Sequence, residues 1–289
     1  MSVRYRAATP DDVEPALQLY GESLASMLRR NGIDPPPSDL EELRGPYQHV
    51  HATGIFRVAE EAGRLVAICH AIVRGPLWFL SGYWARPDRQ RAGVGGPLLR
   101  EVMTEGHQRR AECFFTWSSI DLTAMAGYMR RGMLPGTQIL NFVGEPRDLP
   151  SADGFVVEPL ALDVANALDR DVLSVERAVD QRYWASEPGR SARVVRRDGE
   201  AVGYYSIASG VIGPAAWSSA RYAAPVLALA VRDARQQSAQ VRLRALGTNH
   251  DAIRFALGAG LRLLGYSHLL TTRTFGDLSR YIPSGPTLF

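Results

Sequence analysis

The most constraining feature of the sequence is a glycine-rich turn between an apolar strand and an amphipathic helix. The strand is predicted over residues 77–85 and is closed by Pro87, and the helix is predicted to begin near Val94. Such a turn presents unpaired backbone amides and the positive end of the helix dipole to an anion. Gly93 and Gly95 let the backbone approach a ligand closely. The segment therefore predicts a site for a phosphorylated ligand.

The spacing in this turn separates it from two common phosphate-binding motifs. No Lys-Ser or Lys-Thr pair follows the glycines, as a P-loop requires, and G-x-G-x-x-G is absent. The turn reads Gln90-x-x-Gly93-x-Gly95, and Arg89 and Arg91 add positive charge. This pattern resembles the Q/R-x-x-G-x-G/A loop of the GNAT-type acetyltransferases, which binds the pyrophosphate of acetyl-coenzyme A.

A second segment carries the same resemblance and follows a strand predicted over residues 113–117. It runs from Asp121 to Met133 and places Tyr128 in register with the N-x-x-A-x-x-L-Y-E-K-x-G-F segment of GNAT enzymes. Asp121 replaces the usual Asn, and Gly127 replaces the usual Leu. Two motifs in this order and spacing make the chain similar to the GNAT superfamily.

The resemblance implies an α/β (α+β) fold with a mixed, mostly antiparallel sheet flanked by helices. It implies that the fourth strand splays open, so that the backbone of Tyr83, Trp84 and Ala85 holds the acyl arm of acetyl-coenzyme A. It assigns Asp121 to the cofactor site and Tyr128 to catalysis, as the general acid that protonates the coenzyme A sulfur. The pyrophosphate loop then comprises Arg89, Gln90, Arg91, Ala92, Gly93, Val94, Gly95 and Gly96.

The general base of such a reaction is not identified by the sequence. A free alkylamine has a pKa of roughly 10 and must lose a proton before it attacks a thioester. A water chain is one alternative, and four side chains on or beside predicted strands are others: His70, Ser81, Tyr83 and Glu112. His70 stands in an apolar strand, which is more typical of a core histidine. His49 and His51 lack acidic or cysteine partners nearby, so no metal is predicted.

The second half of the chain repeats the order of elements of the first. It opens at Phe155 as the first half opens at Tyr5, and it contains a hairpin candidate around Asp198-Gly199. Its segment 249–261 reads N-x-x-A-x-x-F-A-x-x-x-G-L and matches residues 121–133. An amphipathic helix with a glycine cap is the simpler alternative for that segment alone. Duplication predicts two tandem GNAT-like domains, at residues 1–148 and 149–289.

The two predicted domains differ in their chemistry. Residues 218–225, where the second domain should carry a pyrophosphate loop, contain no G-x-G, and Ala256 stands where the first domain has Tyr128. The second domain is therefore predicted to be degenerate, without acetyl-coenzyme A binding. Its expected role is structural, or to form a wall of the acceptor pocket.

Composition narrows the location and the partners of the chain. The 289 residues contain no apolar run of the roughly 18 residues that a membrane span needs. The first residues lack a signal-peptide core, and Cys69 and Cys113 lie in strand-like segments as expected for buried thiols. We therefore expect a cytoplasmic protein, monomer or homodimer, with no membrane partner. The net charge is +3 with no basic run interleaved with aromatics, so no nucleic-acid partner is expected.

These observations predict an N-acetyltransferase that moves the acetyl group of acetyl-coenzyme A to a primary amine of a small molecule or peptide. The transfer would be a direct attack in a ternary complex, without a metal. The sequence does not identify the acceptor. In one interpretation four acidic residues attract a cationic amine, and in the other they belong to a solvated loop: Asp34, Asp39, Glu41 and Glu42. The alternative function is a non-catalytic acyl-coenzyme A-binding module with a regulatory or interaction role.

Overall fold

The computed structural model describes residues 2–35 and 40–289, so Asp39 lies outside the described residues. The chain divides into two compact units: residues up to Thr116 with Leu288, and Trp117–Thr287 with Phe289. The domains predicted from the sequence, 1–148 and 149–289, remain a prediction. The boundary between the two units lies before residue 148, because the strand over residues 134–144 is hydrogen-bonded to strands of the second unit.

The first unit is a sheet of five strands in the order β1-β2-β3-β4-β5. Neighbouring strands are antiparallel except β4 and β5, which are parallel. Strand β5 begins in this unit and ends in the second. The elements are β1 Arg4–Ala7, α1 Val13–Arg30, α2 Glu41–Thr53, β2 Ile55–Glu61, β3 Arg64–Arg74, β4 Leu77–Ala85, α3 Gly95–Gln108 and β5 Cys113–Ser118.

The second unit has strands in the order β12-β6-β11-β10-β9-β8-β7, and β13 also pairs with β10. The β10–β11 pair is parallel and the other pairs are antiparallel. The elements are α4 Leu122–Met129, β6 Leu134–Gly144, β7 Phe155–Pro159, α5 Leu162–Leu173, α6 Ala178–Ser186, β8 Ser191–Arg197, β9 Glu200–Ala208, β10 Val211–Trp217, α7 Ala223–Gln237, β11 Val241–Leu246, α8 His250–Gly258, β12 Arg262–Thr271 and β13 Tyr281–Ile282. The predicted fold class, a mixed and mostly antiparallel sheet with flanking helices, is confirmed.

Each unit buries its apolar helix faces against its own sheet. Helix α3 buries Leu98, Leu99 and Val102, spaced as one face of a helix requires. Helix α7 is rich in alanine, which lets it lie close to the core of the second unit. Cys69 and Cys113 are both buried, as predicted. None of the helices in the described part of the chain is long and apolar enough to cross a membrane.

A partly buried charge cluster connects β1 to the start of α1. The guanidinium of Arg6 donates to Asp12 at 2.6 Å and to Glu60 at 2.9 Å. The amide and hydroxyl of Thr9 donate to the same Asp12 carboxylate. The hydrogen bond from Arg6 is the main cause that lowers the pKa of Asp12 to about 2. The ionised carboxylate is therefore favoured by folding.

We expect Asp12→Asn to lower the free energy of unfolding by about 2 kcal/mol at pH 7, because a carboxyl whose pKa falls from its ordinary value to about 2 on folding stabilises the folded state by that much. Because the folded pKa lies below the ordinary value, this contribution is present above pH ~4 and is lost as the pH falls toward 2. Urea denaturation at both pH values measures it. Asp198→Asn, at a side chain 87% exposed, is the control and should change little. An equal deficit at both pH values would refute the assignment.

Candidate functional site

Strand β4 separates from β5 halfway along its length. The parallel pairing with β5 ends where Leu80 lies opposite Thr116. The remaining residues of β4 pair only with β3, through Ala85 opposite Ala67. The β3–β4 register shifts at this point, so that Ser81 is an extra residue in β4. Such a bulge increases the local twist and turns the strand away from its neighbour.

Beyond Leu80, the backbone N–H and C=O groups of successive β4 residues point alternately toward and away from β3. The amide of Arg86 donates to the carbonyl of Val66 at 3.0 Å, which fixes this alternation. The backbone groups of Tyr83 and Ala85 accordingly face away from β3. The carbonyl of Ala85 accepts from Ser23 Oγ at 2.9 Å and Gln90 Nε2 at 3.0 Å. The Ala85 amide and both Tyr83 backbone groups thus lie along the splayed edge.

The side chains of Tyr83 and Trp84 alternate between the two faces of the sheet. The ring of Trp84 packs edge-on against Tyr20 of α1, at 5.0 Å between centroids. The hydroxyl of Tyr83 lies against Gly95 at the start of α3, where an added Cβ would stand 2.3 Å from it. Tyr83 therefore fixes how closely the first turn of α3 approaches β4.

The predicted pyrophosphate loop is a tight turn that ends in the first residues of α3. A 3-10 turn at Pro87–Arg89 precedes an extended Gln90, and Arg91 and Gly93 have φ values of +66° and +80°. No backbone hydrogen bond in the described part of the chain is donated by the amides of Gly93, Val94, Gly95 or Gly96. Free amides at a helix N-terminus form a concave site for an anion.

The two arginines of the loop differ in their partners. Arg89 donates to the carboxylate of Glu61 at 2.6 Å, so much of its charge is compensated. The hydrogen bond that Arg89 donates to this carboxylate raises the pKa of Arg89. Arg91 is exposed and, among the described residues, forms no ion pair. Between the two loop arginines, Arg91 is the one available to an incoming phosphate.

Asp121 and Tyr128 lie in the second unit, on helix α4. Asp121 is its N-cap, and its Oδ1 accepts from the amides of Thr123 at 2.9 Å and Ala124 at 3.1 Å. Tyr128 is buried in the last turn. Gly132 follows the helix with φ +85°, which suits the glycine of the motif. The matched motif therefore has an observed structural role at Asp121 and Gly132, while the cofactor role of Asp121 stays a prediction.

The candidate general bases occupy very different environments. His70 is fully buried between the rings of Tyr47 and Phe56, each 4.7 Å away, and it lies under Gly82. Burial lowers its pKa to about 3, so the imidazole is neutral and a poor base near pH 7. Ser81 is half-buried at the bulge and Glu112 is exposed. Among the described residues, no group of three metal-ligating side chains converges.

Strands β10 and β11 of the second unit correspond to β4 and β5. The part of β10 that β11 does not pair is paired by another strand, β13. β10 pairs in parallel with β11 only at Val211 and Ile212. Further along β10, Ala215 pairs with Ile282 of β13 and Ala216 pairs with Tyr281. Sequence reasoning missed β13, since two apolar residues before Pro283 give no strand signal. In the second unit, the part of β10 that corresponds to the splayed edge of β4 is thus covered by β13.

A buried polar cluster holds this C-terminal segment. Arg177 donates to the hydroxyl of Tyr281 and, at 2.8 Å, to the carbonyl of Phe289. Asp180, fully buried, pairs with Arg177 at 3.3 Å. The guanidinium also lies 4.7 Å from the ring centre of Trp184. The segment is therefore fixed by charge-assisted hydrogen bonds in the interior of the unit.

No protein-family model matches the chain, and no curated protein matches it in sequence. Solved structures match it over nearly all of its length. A putative acetyltransferase from Pyrococcus horikoshii is 16% identical with a TM-score of 0.80, covering 99% of this chain and 96% of that one. A GCN5-related N-acetyltransferase from Sphaerobacter thermophilus is 15% identical with a TM-score of 0.66, covering 96% and 98%. A tandem GNAT protein from the clavulanic acid biosynthesis pathway is 14% identical with a TM-score of 0.60, covering 93% and 98%. The chain therefore has the GNAT fold, that of the GCN5-related N-acetyltransferases, as its two motifs predicted.

Proposed function

We propose that the protein is an N-acetyltransferase that uses acetyl-coenzyme A bound by its first unit. Two neighbouring features carry this proposal: the edge of β4 beyond Leu80, where its pairing with β5 has ended, and the amides that begin α3. The edge offers backbone groups to an extended acyl arm, and the loop offers donors to a diphosphate. The GNAT fold favours the same ligand for both.

In the proposed reaction, the amine nitrogen of the acceptor bonds to the thioester carbon while the carbon–sulfur bond breaks. Backbone amides at the end of β4, including that of Ala85, would stabilise the developing oxyanion. Tyr128 would give its proton to the departing thiolate. The proton of the amine would leave to water, because the buried His70 is a poor base. In this proposal the second GNAT-like domain, residues 149–289, takes no part in coenzyme binding.

Titration of the full-length protein with acetyl-coenzyme A, followed by a panel of amines, tests the proposal. We expect one molecule bound per chain, and release of coenzyme A thiol with at least one primary amine of a small molecule or peptide. Saturable binding with no turnover on any amine would favour the binding module instead. Absence of binding would refute both functions.

We expect Arg91→Gln to weaken acetyl-coenzyme A binding about tenfold, because one charge-assisted hydrogen bond of about 1.5 kcal/mol would be lost. Calorimetric titration at fixed ionic strength measures the change. Arg235→Gln is the matched control, since Arg235 is also exposed and lies at the far end of α7. A dissociation constant within twofold of the parent for Arg91→Gln would remove this residue from the phosphate site.

A further inference from the structure

A second polar site lies on three neighbouring strands of the second unit. In β11, Arg244 lies directly opposite Asn141 of β6, and Asn141 lies opposite Gly265 of β12. Residues directly opposite on paired strands project from the same face of a sheet, with Cβ atoms roughly 5 Å apart. Arg244, Asn141 and Gly265 therefore form one row across the sheet, which we call the Arg244 row.

The charge of Arg244 is not balanced by a neighbouring acid. No carboxylate in residues 2–35 and 40–289 forms an ion pair with it. Its Nη1 donates to the carbonyl of Ser284 at 3.3 Å, and its guanidinium carbon lies 5.9 Å from the ring centre of Trp117. Burial, with a smaller effect from Arg242, lowers the pKa of Arg244 to about 10. The guanidinium still carries a full charge at pH 7. Its burial costs free energy, and a bound anion would offset that cost.

The other two members of the row leave room and an acceptor beside this charge. The side-chain oxygen of Asn141 is buried and has no hydrogen-bond partner among the described residues. A Cβ added at Gly265 would meet no atom within 4 Å, so the position opposite Asn141 in the row is not filled by another side chain. Two residues further along β12, Ser267 Oγ accepts from the indole of Trp117 at 2.5 Å, which holds that ring in place.

We propose that the Arg244 row binds a small amino-acid-like molecule. The guanidinium of Arg244 would pair with its carboxylate, and the oxygen of Asn141 would accept a hydrogen bond from its N–H. A single cation suits a monovalent carboxylate better than a phosphate dianion, and the Asn141 oxygen would repel a second phosphate oxygen. The site does not depend on the proposed function, because none of its residues belongs to the coenzyme site.

The test is calorimetric titration of the full-length protein with the free amino acids, followed by the amide of each one that binds. We expect at least one amino acid to bind, and its amide to bind at least tenfold more weakly. Arg244→Gln should abolish binding. Arg242→Gln should not, since Arg242 is an exposed arginine on the same strand and face. The proposal is overturned if no amino acid binds, if the amide binds equally well, or if Arg244→Gln binds like the parent.

Asn141→Asp gives a second test that does not remove the arginine. The new carboxylate would stand opposite Arg244 and pair with it, so we expect a higher melting temperature and no binding of the amino acid. Retained binding in a folded Asn141→Asp protein would overturn the proposal. Incubation of the protein with acetyl-coenzyme A and an amino acid that binds then distinguishes two roles for that amino acid. An acetylated ligand is an acceptor, and one that binds unchanged is an effector.

Discussion

Tyr128→Phe is expected to slow acetyl transfer by about 100-fold or more, since a positioned general acid contributes 10²–10⁴-fold to such reactions. The substitution removes one oxygen from a buried ring and leaves its volume nearly unchanged. Binding of acetyl-coenzyme A should therefore remain within about threefold of the parent, so that the loss falls on turnover. Thiol release at saturating coenzyme measures turnover, and calorimetry measures binding.

Tyr266→Phe provides the matched control for this change. Tyr266 is 61% exposed on β12 and lies outside the proposed site, so its variant should keep full turnover. Thermal unfolding of both variants checks that neither has lost the fold. If Tyr128→Phe releases thiol within a few-fold of the parent, another group protonates the sulfur.

Gly95→Ala should reduce the affinity for acetyl-coenzyme A at least tenfold while the protein stays folded. The added Cβ would lie 2.3 Å from the hydroxyl of Tyr83 and 2.8 Å from the ring carbon that bears it. Either the ring or the first turn of α3 must move. The free amides of the loop begin that turn, so a shift of about 1 Å would lengthen several hydrogen bonds to phosphate at once.

Gly258→Ala serves as the control, since a Cβ there meets nothing within 4 Å and Gly258 also lies in a helix. It should bind acetyl-coenzyme A like the parent. An unchanged dissociation constant for Gly95→Ala would mean that the start of α3 does not contact the coenzyme. Loss of binding in both variants would point to a general effect of alanine on stability instead.

Much of the fold was predictable because its signals are local. Apolar runs bounded by glycine and proline predicted the strands, and the spacing of Leu98, Leu99 and Val102 predicted the buried face of α3. The alternation of the hairpin around Asp198-Gly199 agrees with the observed pairing of β8 with β9. The loop motif likewise predicted a glycine-rich turn before α3, and the structure has this turn, with a positive φ at Gly93.

Pairings between distant residues could not be predicted from one sequence. The ion pair of Arg89 with Glu61 joins residues 28 positions apart, so the sequence offered Arg89 and Arg91 as equals. Strand β13 pairs with a strand some 65 residues earlier in the chain, and the Arg244 row assembles from three separate strands. Such contacts depend on tertiary packing, which overrides local propensity.

The strand β13 also has a consequence for binding stoichiometry. A covalently tethered segment has an effective concentration that reaches the millimolar range for short flexible connections. Free coenzyme at micromolar concentration would have to displace Tyr281 and Ile282 from β10, against this advantage and against the contacts of Arg177. We therefore expect binding of acetyl-coenzyme A to saturate at one equivalent per chain even at high ligand concentration. In the second unit, β13 acts as an intramolecular competitor for the edge of β10.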